Sequence, residues 1–445
     1  MLSVYLRPAL CAFTAMLALQ TSARTIAITW QDVAPFHTRL EQRGITSATF
    51  TSYVDRVRQE NARRVRDGDL DHLIFYALQS AHFTRRPPIE PALSAKALVD
   101  HGSTIPSDVP PRIGEFLQAI DSSSRDPRVV YFRALMKSAF PATNDREKAL
   151  LAEYRRVMKF VYDKEFVARQ AGPDAVTDLY RARGLSTDTA VEAGYVVYSG
   201  LGILKSLDPT RQIRRVLIVG PGLDLAPRTA LVENGPPESY QPWAVIDALL
   251  SFGLSRAGDL VVVGADINPR VVDHLTQART APPTLTLVSG IAESSTVRVA
   301  DDYREYFAQL GRAVGDGSNQ PAPIAPGHLS KMVRIRLEAA RALTAENLDV
   351  VTERLSAAPF DLIIATNILP YFDDTQLALA ISNVAAMLAS GGVFMHNEPR
   401  PALGDIAEAS GLRFEQLRRV TIASVAGGAA PLTDVVMLHR KSEKK

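Results

Sequence analysis

The sequence predicts an α/β protein: a seven-stranded, mostly parallel, doubly wound sheet with a closing antiparallel hairpin, preceded by an all-α N-terminal region. Three observations predict it. Residues 24–206 place apolar and charged side chains at helical spacing. From Arg211 to the C-terminus, short runs rich in Val, Ile and Leu alternate with helical stretches, as the buried strands of a parallel sheet require. The last two such runs have only Gly427, Gly428 and Pro431 as punctuation between them, so they pair as an antiparallel hairpin at one edge.

A chain of 445 residues, 46% hydrophobic and 22% charged, has the composition of a globular protein, which excludes wholesale disorder and a multi-span membrane protein. Lys and Arg (50) balance Asp and Glu (48), too evenly for a chain that grips nucleic acid through phosphate neutralisation, so no nucleic-acid partner is expected. The single cysteine, Cys11, rules out an internal disulfide or a Cys-based zinc site. It lies in a 12-residue apolar run, 8–19, preceded by Arg7 and followed by Thr21, Ser22 and Ala23. That is the layout of a cleaved signal peptide over 1–23, too short for a stable membrane span, and it predicts export to the periplasm or medium. A start at Met16 is the alternative and would leave the chain in the cytoplasm.

The expected organisation is a signal peptide (1–23), a helical region (24–206) and an α/β region (207–445) with a helical insertion near 296–359. In the helical region, 50–66 and 69–80 read as two helices, the second opening on acidic residues. Pro87, Pro88 and Pro91 break the pattern, and further helices are expected over 112–120, 147–164 and 188–204. The arginines at 56, 58, 63, 64 and 66 read as a solvated face, and His72 and His82 as packing or surface residues. In the α/β region the seven strands are expected at 215–219, 260–265, 284–288, 360–366, 393–396, 414–422 and 434–439. Within the insertion, two helices flank a Gly/Pro-rich loop over 315–327, a candidate lid or substrate wall.

Three segments carry chemistry. The first strand ends in Gly220-Pro221-Gly222, followed by Asp224; glycine there lets the chain turn sharply and lets a ligand approach the backbone. A dinucleotide fingerprint wants a small third residue where Leu225 stands, which counts against a nicotinamide or flavin site. The second strand ends at Asp266, whose carboxylate can accept hydrogen bonds from both hydroxyls of a ribose. Capping the helix that begins near Pro269 is the alternative role. Asp266 stands 44 residues after Gly222, and an inserted loop over 233–243 accounts for the excess. Asn367 falls just past the fourth strand, beside the switch point where open α/β sheets bind ligands. Tyr371 follows it, and Glu398 follows the fifth strand, which is fed by Gly391 and Gly392.

In their order these parts resemble the class I S-adenosylmethionine-dependent methyltransferases over roughly residues 186–440. The stretch 367–372 (Asn-Ile-Leu-Pro-Tyr-Phe), with Glu398, is locally similar to the chemotaxis-receptor glutamate methyltransferases. The resemblance implies S-adenosylmethionine as cofactor, with Gly220, Pro221 and Gly222 under its methionine and ribose, Asp266 on the ribose hydroxyls, and Asp224, Ile267, Ala292 and Asn367 completing its site. Two positions depart from the family pattern: Ile218 stands where an acid often precedes the glycines. Ile291 stands where an acid often follows the third strand and reads the adenine amino group, with Glu293 two positions on.

Such chemistry aligns a nucleophile with an activated methyl group and needs no metal. Asn367, Tyr371 and Glu398 are the candidate catalytic residues, and the acceptor is a small molecule or a protein side chain. Two rival readings remain at this stage: a non-catalytic binding protein on the same fold, and a nicotinamide-dependent oxidoreductase.

Overall fold

A computed structural model of the chain describes residues 24–141, 145–225, 236–318 and 326–443. The expected signal peptide with Cys11, residues 233–235 of the expected loop and residues 319–325 of the Gly/Pro-rich loop lie outside the described residues. The strands in chain order are β1 (Arg24–Ala27), β2 (Arg215–Val219), β3 (Val261–Asp266), β4 (Thr284–Ala292), β5 (Val297–Val299), β6 (Gly315–Gly317), β7 (His328–Ile335), β8 (Leu343–Asn347), β9 (Glu353–Ser356), β10 (Phe360–Ala365), β11 (Leu388–His396), β12 (Leu412–Val425) and β13 (Leu432–Lys441).

The central sheet runs β5-β12-β13-β11-β10-β2-β3-β8. Pairing is parallel from β11 through β10, β2 and β3 to β8, and antiparallel on the hairpin side. The mostly parallel sheet with a closing hairpin is thus present, with eight strands instead of seven because β5 covers the outer edge of β12.

One expected strand of the central sheet lies elsewhere. Residues 284–292 do not join the central sheet; β4 pairs antiparallel with β7 in a separate β4-β7-β6 sheet. The place beside β3 belongs to β8, from within the expected insertion. The reason is physical: β8 is an edge strand, only its first residue is fully buried, and its sequence Leu-Thr-Ala-Glu-Asn needs no apolar run.

Alternate residues of each central strand face opposite layers. Val216 and Ile218 of β2, with Leu362 and Ile364 of β10, join a core built with Leu73, Phe116 and Tyr154 of the N-terminal helices. Leu217, Val219 and Ile363 join another with Val33, Phe50 and Val54. The N-terminal region therefore shares its cores with the sheet on both faces. It is not wholly helical: β1 pairs antiparallel with β9.

Residues 50–79 form one helix, Phe50–Gln79, where two were expected. Gly68, a plausible breaker, is instead a contact point: a Cβ on it would overlap the carbonyl oxygen of Leu185. Gly184 meets the backbone of Gly68 in return. This close approach holds segment 184–190 against the helix, and the segment leads into the helix Val191–Leu207.

Candidate active site

The chain moves outward from β2 to β3 to β8, then returns to β10 on the other side of β2. The crevice at that reversal, outside the carboxyl ends of the strands, is where such sheets bind ligands. A cavity of about 890 Å³ occupies it. Of the residues expected at the site, Gly220, Gly222, Asp224, Asp266, Ile267, Asn367 and Tyr371 line it together. Pro221, Ala292 and Glu398 do not.

Both glycines are required by their backbone. Gly220 has φ +67° and Gly222 φ +74°, in the left-handed region that side chains resist. A Cβ on Gly222 would also stand 2.5 Å from the carbonyl oxygen of Thr187. That oxygen accepts the amide of Leu223, so the glycine turn and segment 184–190 are laced together.

Asp266 is buried at the end of β3. Its Oδ1 accepts the amide of Asn268 at 2.8 Å and its Oδ2 that of Gly222 at 3.4 Å. Burial outweighs these bonds and pushes its pKa up to about 7. It does not cap the next helix: the side chain of Asn268 does, accepting from Arg270.

Asn367 holds a left-handed φ of +61°, which Asn tolerates better than most residues. It is clamped by Asn397: its amide donates to Asn397 Oδ1 at 2.9 Å, and Asn397 Nδ2 donates to Asn367 Oδ1 at 2.7 Å. Tyr371 is nearly buried, with its ring edge-on to Tyr180, and burial raises its hydroxyl pKa.

Glu398 is a brace behind the cavity. It accepts the amide of Arg400, whose guanidinium donates to the carbonyls of Phe372 and Leu369. Ala292 sits at the end of β4 paired with His328, and Glu293 is tied to Arg304 and to the amide of Val299. Both lie off the cavity lining because residues 284–292 stand outside the central sheet.

An acid does follow the strand that pairs with β3 on its outer side. Two residues past β8 stands Asp349, buried in the cavity wall beside Leu348 and Val350. Its Oδ1 accepts the amide of Val351 at 3.0 Å and its Oδ2 the side-chain amide of Asn61 at 3.0 Å; burial raises its pKa.

Helices of the N-terminal region close the other half of the cavity, with Phe75, Phe160, Tyr180 and Arg183 among its lining residues. The Arg183 guanidinium lies 4.4 Å from the centre of the Phe160 ring. Asp188 also lines this half, and His72 Nε2 lies 3.2 Å from its Oδ2. Burial disfavours the His72 cation, yet the Asp188 carboxylate, with Asp69 and Asp71 beyond it, outweighs burial and raises the imidazole pKa. Arg64, read as part of a solvated face, is buried and donates to the carbonyls of Arg183, Tyr180 and Tyr371. Periodicity could not show this, because residues 180–185 and Tyr371, distant in sequence, cover that arginine.

Among the described residues, no group of three or more His, Cys, Asp or Glu is placed to hold a metal ion. No described helix is long and apolar enough to cross a membrane.

No family model matches the chain, and no curated protein matches its sequence. Among solved structures it is similar to the N-methyltransferase NodS of Bradyrhizobium japonicum WM9, with 15% identity over 55% of this chain and 94% of that one, at a TM-score of 0.25. It is similar to a TehB-like SAM-dependent methyltransferase of Corynebacterium glutamicum, with 12% identity over 56% and 88% and a TM-score of 0.26. It is also similar to the magnesium protoporphyrin IX methyltransferase ChlM of Synechocystis PCC 6803, solved with bound SAM, with 10% identity over 72% and 100% and a TM-score of 0.28. The chain itself presents the strand order, the paired glycines and two carboxyl groups that meet in one cavity.

Proposed function

We propose that this chain transfers a methyl group from S-adenosylmethionine to a small-molecule acceptor. The carrying observation is that the carboxyl ends of β2, β3, β8 and β10 deliver two positive-φ glycines, Asp266, Asp349 and Asn367 into one cavity. That set fits the cofactor. The glycine turn leaves room for a ligand against the backbone, Asp266 suits ribose hydroxyls, and Asp349 suits the amino group of adenine. When bound, the cofactor supplies a methyl group on a sulfonium, ready for displacement.

The chain's own residues would orient the acceptor. Tyr371 holds its proton too tightly to act as a base at neutral pH, and Glu398 stands outside the cavity. Asp188 in the helical half stays ionised, because His72 outweighs burial and lowers its pKa, so it suits accepting a hydrogen bond from a hydroxyl or amine and orienting it. The cavity volume falls in the range of small-molecule sites, which favours a small acceptor over a protein side chain.

Isothermal titration with S-adenosylmethionine and S-adenosylhomocysteine tests the reading. Micromolar binding that weakens on Asp266→Ala supports it. Folded protein that binds neither ligand overturns it.

A further inference from the structure

The long N-terminal helix reaches the carboxylate that follows β8. Asn61 and Asp349 are 288 residues apart in sequence, both are buried, and both line the cavity. Their bond fixes the amide's orientation, because only Nδ2 can donate to a carboxylate oxygen. The opposite atom, Asn61 Oδ1, is left buried with no hydrogen-bond partner. An apolar residue would avoid that penalty, so the amide is an odd choice if its role were packing alone.

We propose that Asn61 is a positioning residue for base selection: it holds the Asp349 carboxylate so that an oxygen with remaining acceptor capacity meets a primary amino group on the purine of the bound nucleoside. This rests on the cofactor reading above and adds to it that the N-terminal helix takes part in choosing the base. A carboxylate offers about four lone-pair directions. Asn61 and the Val351 amide occupy two, at 3.0 Å each. With its orientation set from both sides, the group accepts from a donor in the cavity without rotating. A base carrying a carbonyl in place of the amino group would present an acceptor to an acceptor.

The test is a titration of the full chain with S-adenosylhomocysteine and with S-inosylhomocysteine, in which a 6-oxo group replaces the 6-amino group. Wild type is expected to prefer the adenosyl ligand by about 100-fold. Asn61→Leu should cut that preference about tenfold, and it should change the preference by less than about twofold when Asp349 is already Ala, because the two residues act as one unit. Asn61→Ser serves the same purpose if the Leu variant does not fold. Equal weakening of both ligands by the Asn61 variants, or additive effects of the 61 and 349 substitutions, overturns the proposal while leaving the cofactor reading intact. No binding of S-adenosylhomocysteine to folded wild type overturns the cofactor reading, and this proposal with it.

Discussion

The amide of Gly222 points at Oδ2 of Asp266 across 3.4 Å, so the glycine turn after β2 and the acid ending β3 form one unit. The carboxyl is held by two backbone amides, yet its burial keeps its pKa near 7. It is a group whose charge the fold tolerates poorly.

That gives a signed pH prediction. A ribose that donates hydrogen bonds to the carboxylate favours its charged form, so affinity for S-adenosylhomocysteine should rise from pH 6 to pH 8 by about tenfold, the change in ionised fraction around a pKa near 7. Stability moves the opposite way. The folded pKa lies above the unfolded value, so the contribution of Asp266 to stability is full below about pH 4 and is lost as pH rises through about 7. Asp266→Asn should therefore stabilise the ligand-free protein at pH 8 while weakening binding. A variant that loses both stability and binding at pH 8 would show that the carboxylate is simply structural.

Gly222→Ala should destabilise more than Gly220→Ala. Both place a side chain at positive φ, at a cost of about 1–2 kcal/mol. At Gly222 the new Cβ also meets a backbone oxygen, Thr187 O, whereas at Gly220 it meets Cγ2 of Ile368, which can turn away. Chemical denaturation of the two variants checks the order. Equal losses would mean that segment 184–190 yields freely and does not wall the cavity.

Glu238, bridged through its backbone to Asp224, gives a second pH handle. Its carboxyl is buried against the amide of Thr286, and burial, with the charge of Asp224 as a smaller cause, pushes its pKa up to about 8. Its folded value exceeds its unfolded one, so the stability tied to its protonated form is complete below about pH 4.5 and is lost as pH climbs through about 8. Glu238→Gln keeps a neutral group there. It should leave stability at pH 5 within about 1 kcal/mol of wild type and flatten the fall between pH 6 and 9, read by thermal melts across that range.

The sequence made the glycine turn, Asp266 and Asn367 legible because each follows a buried apolar strand, where pattern and turn chemistry agree. It hid Asp349 because β8, at the edge of the sheet, carries Ala, Glu and Asn where a central strand would carry Val or Ile. It hid His72, Asp188 and Asn61 because their neighbours come from distant parts of the chain, and helical periodicity reports a face without naming what packs on it. Asp71 shows the same limit: an acid near mid-helix becomes buried only because Arg156 and Arg183 meet it from two other segments.

Gly68 tests whether the N-terminal helix and the sheet form one binding surface. In an exposed helix, Gly→Ala usually stabilises by about 0.5–1 kcal/mol, and Gly114, with no atom within 4 Å of its would-be Cβ, is the matched control in the helix Val109–Asp121. Gly68 differs only in its surroundings. Its Cβ would overlap the carbonyl oxygen of Leu185, a backbone atom that cannot rotate away, on the segment that carries Thr187 and Asp188. Gly114→Ala should therefore be neutral or stabilising. Gly68→Ala should destabilise by roughly 2–4 kcal/mol and weaken S-adenosylhomocysteine binding by displacing that segment from the glycine turn. If both variants melt alike and bind alike, the helix does not set the position of the cavity wall.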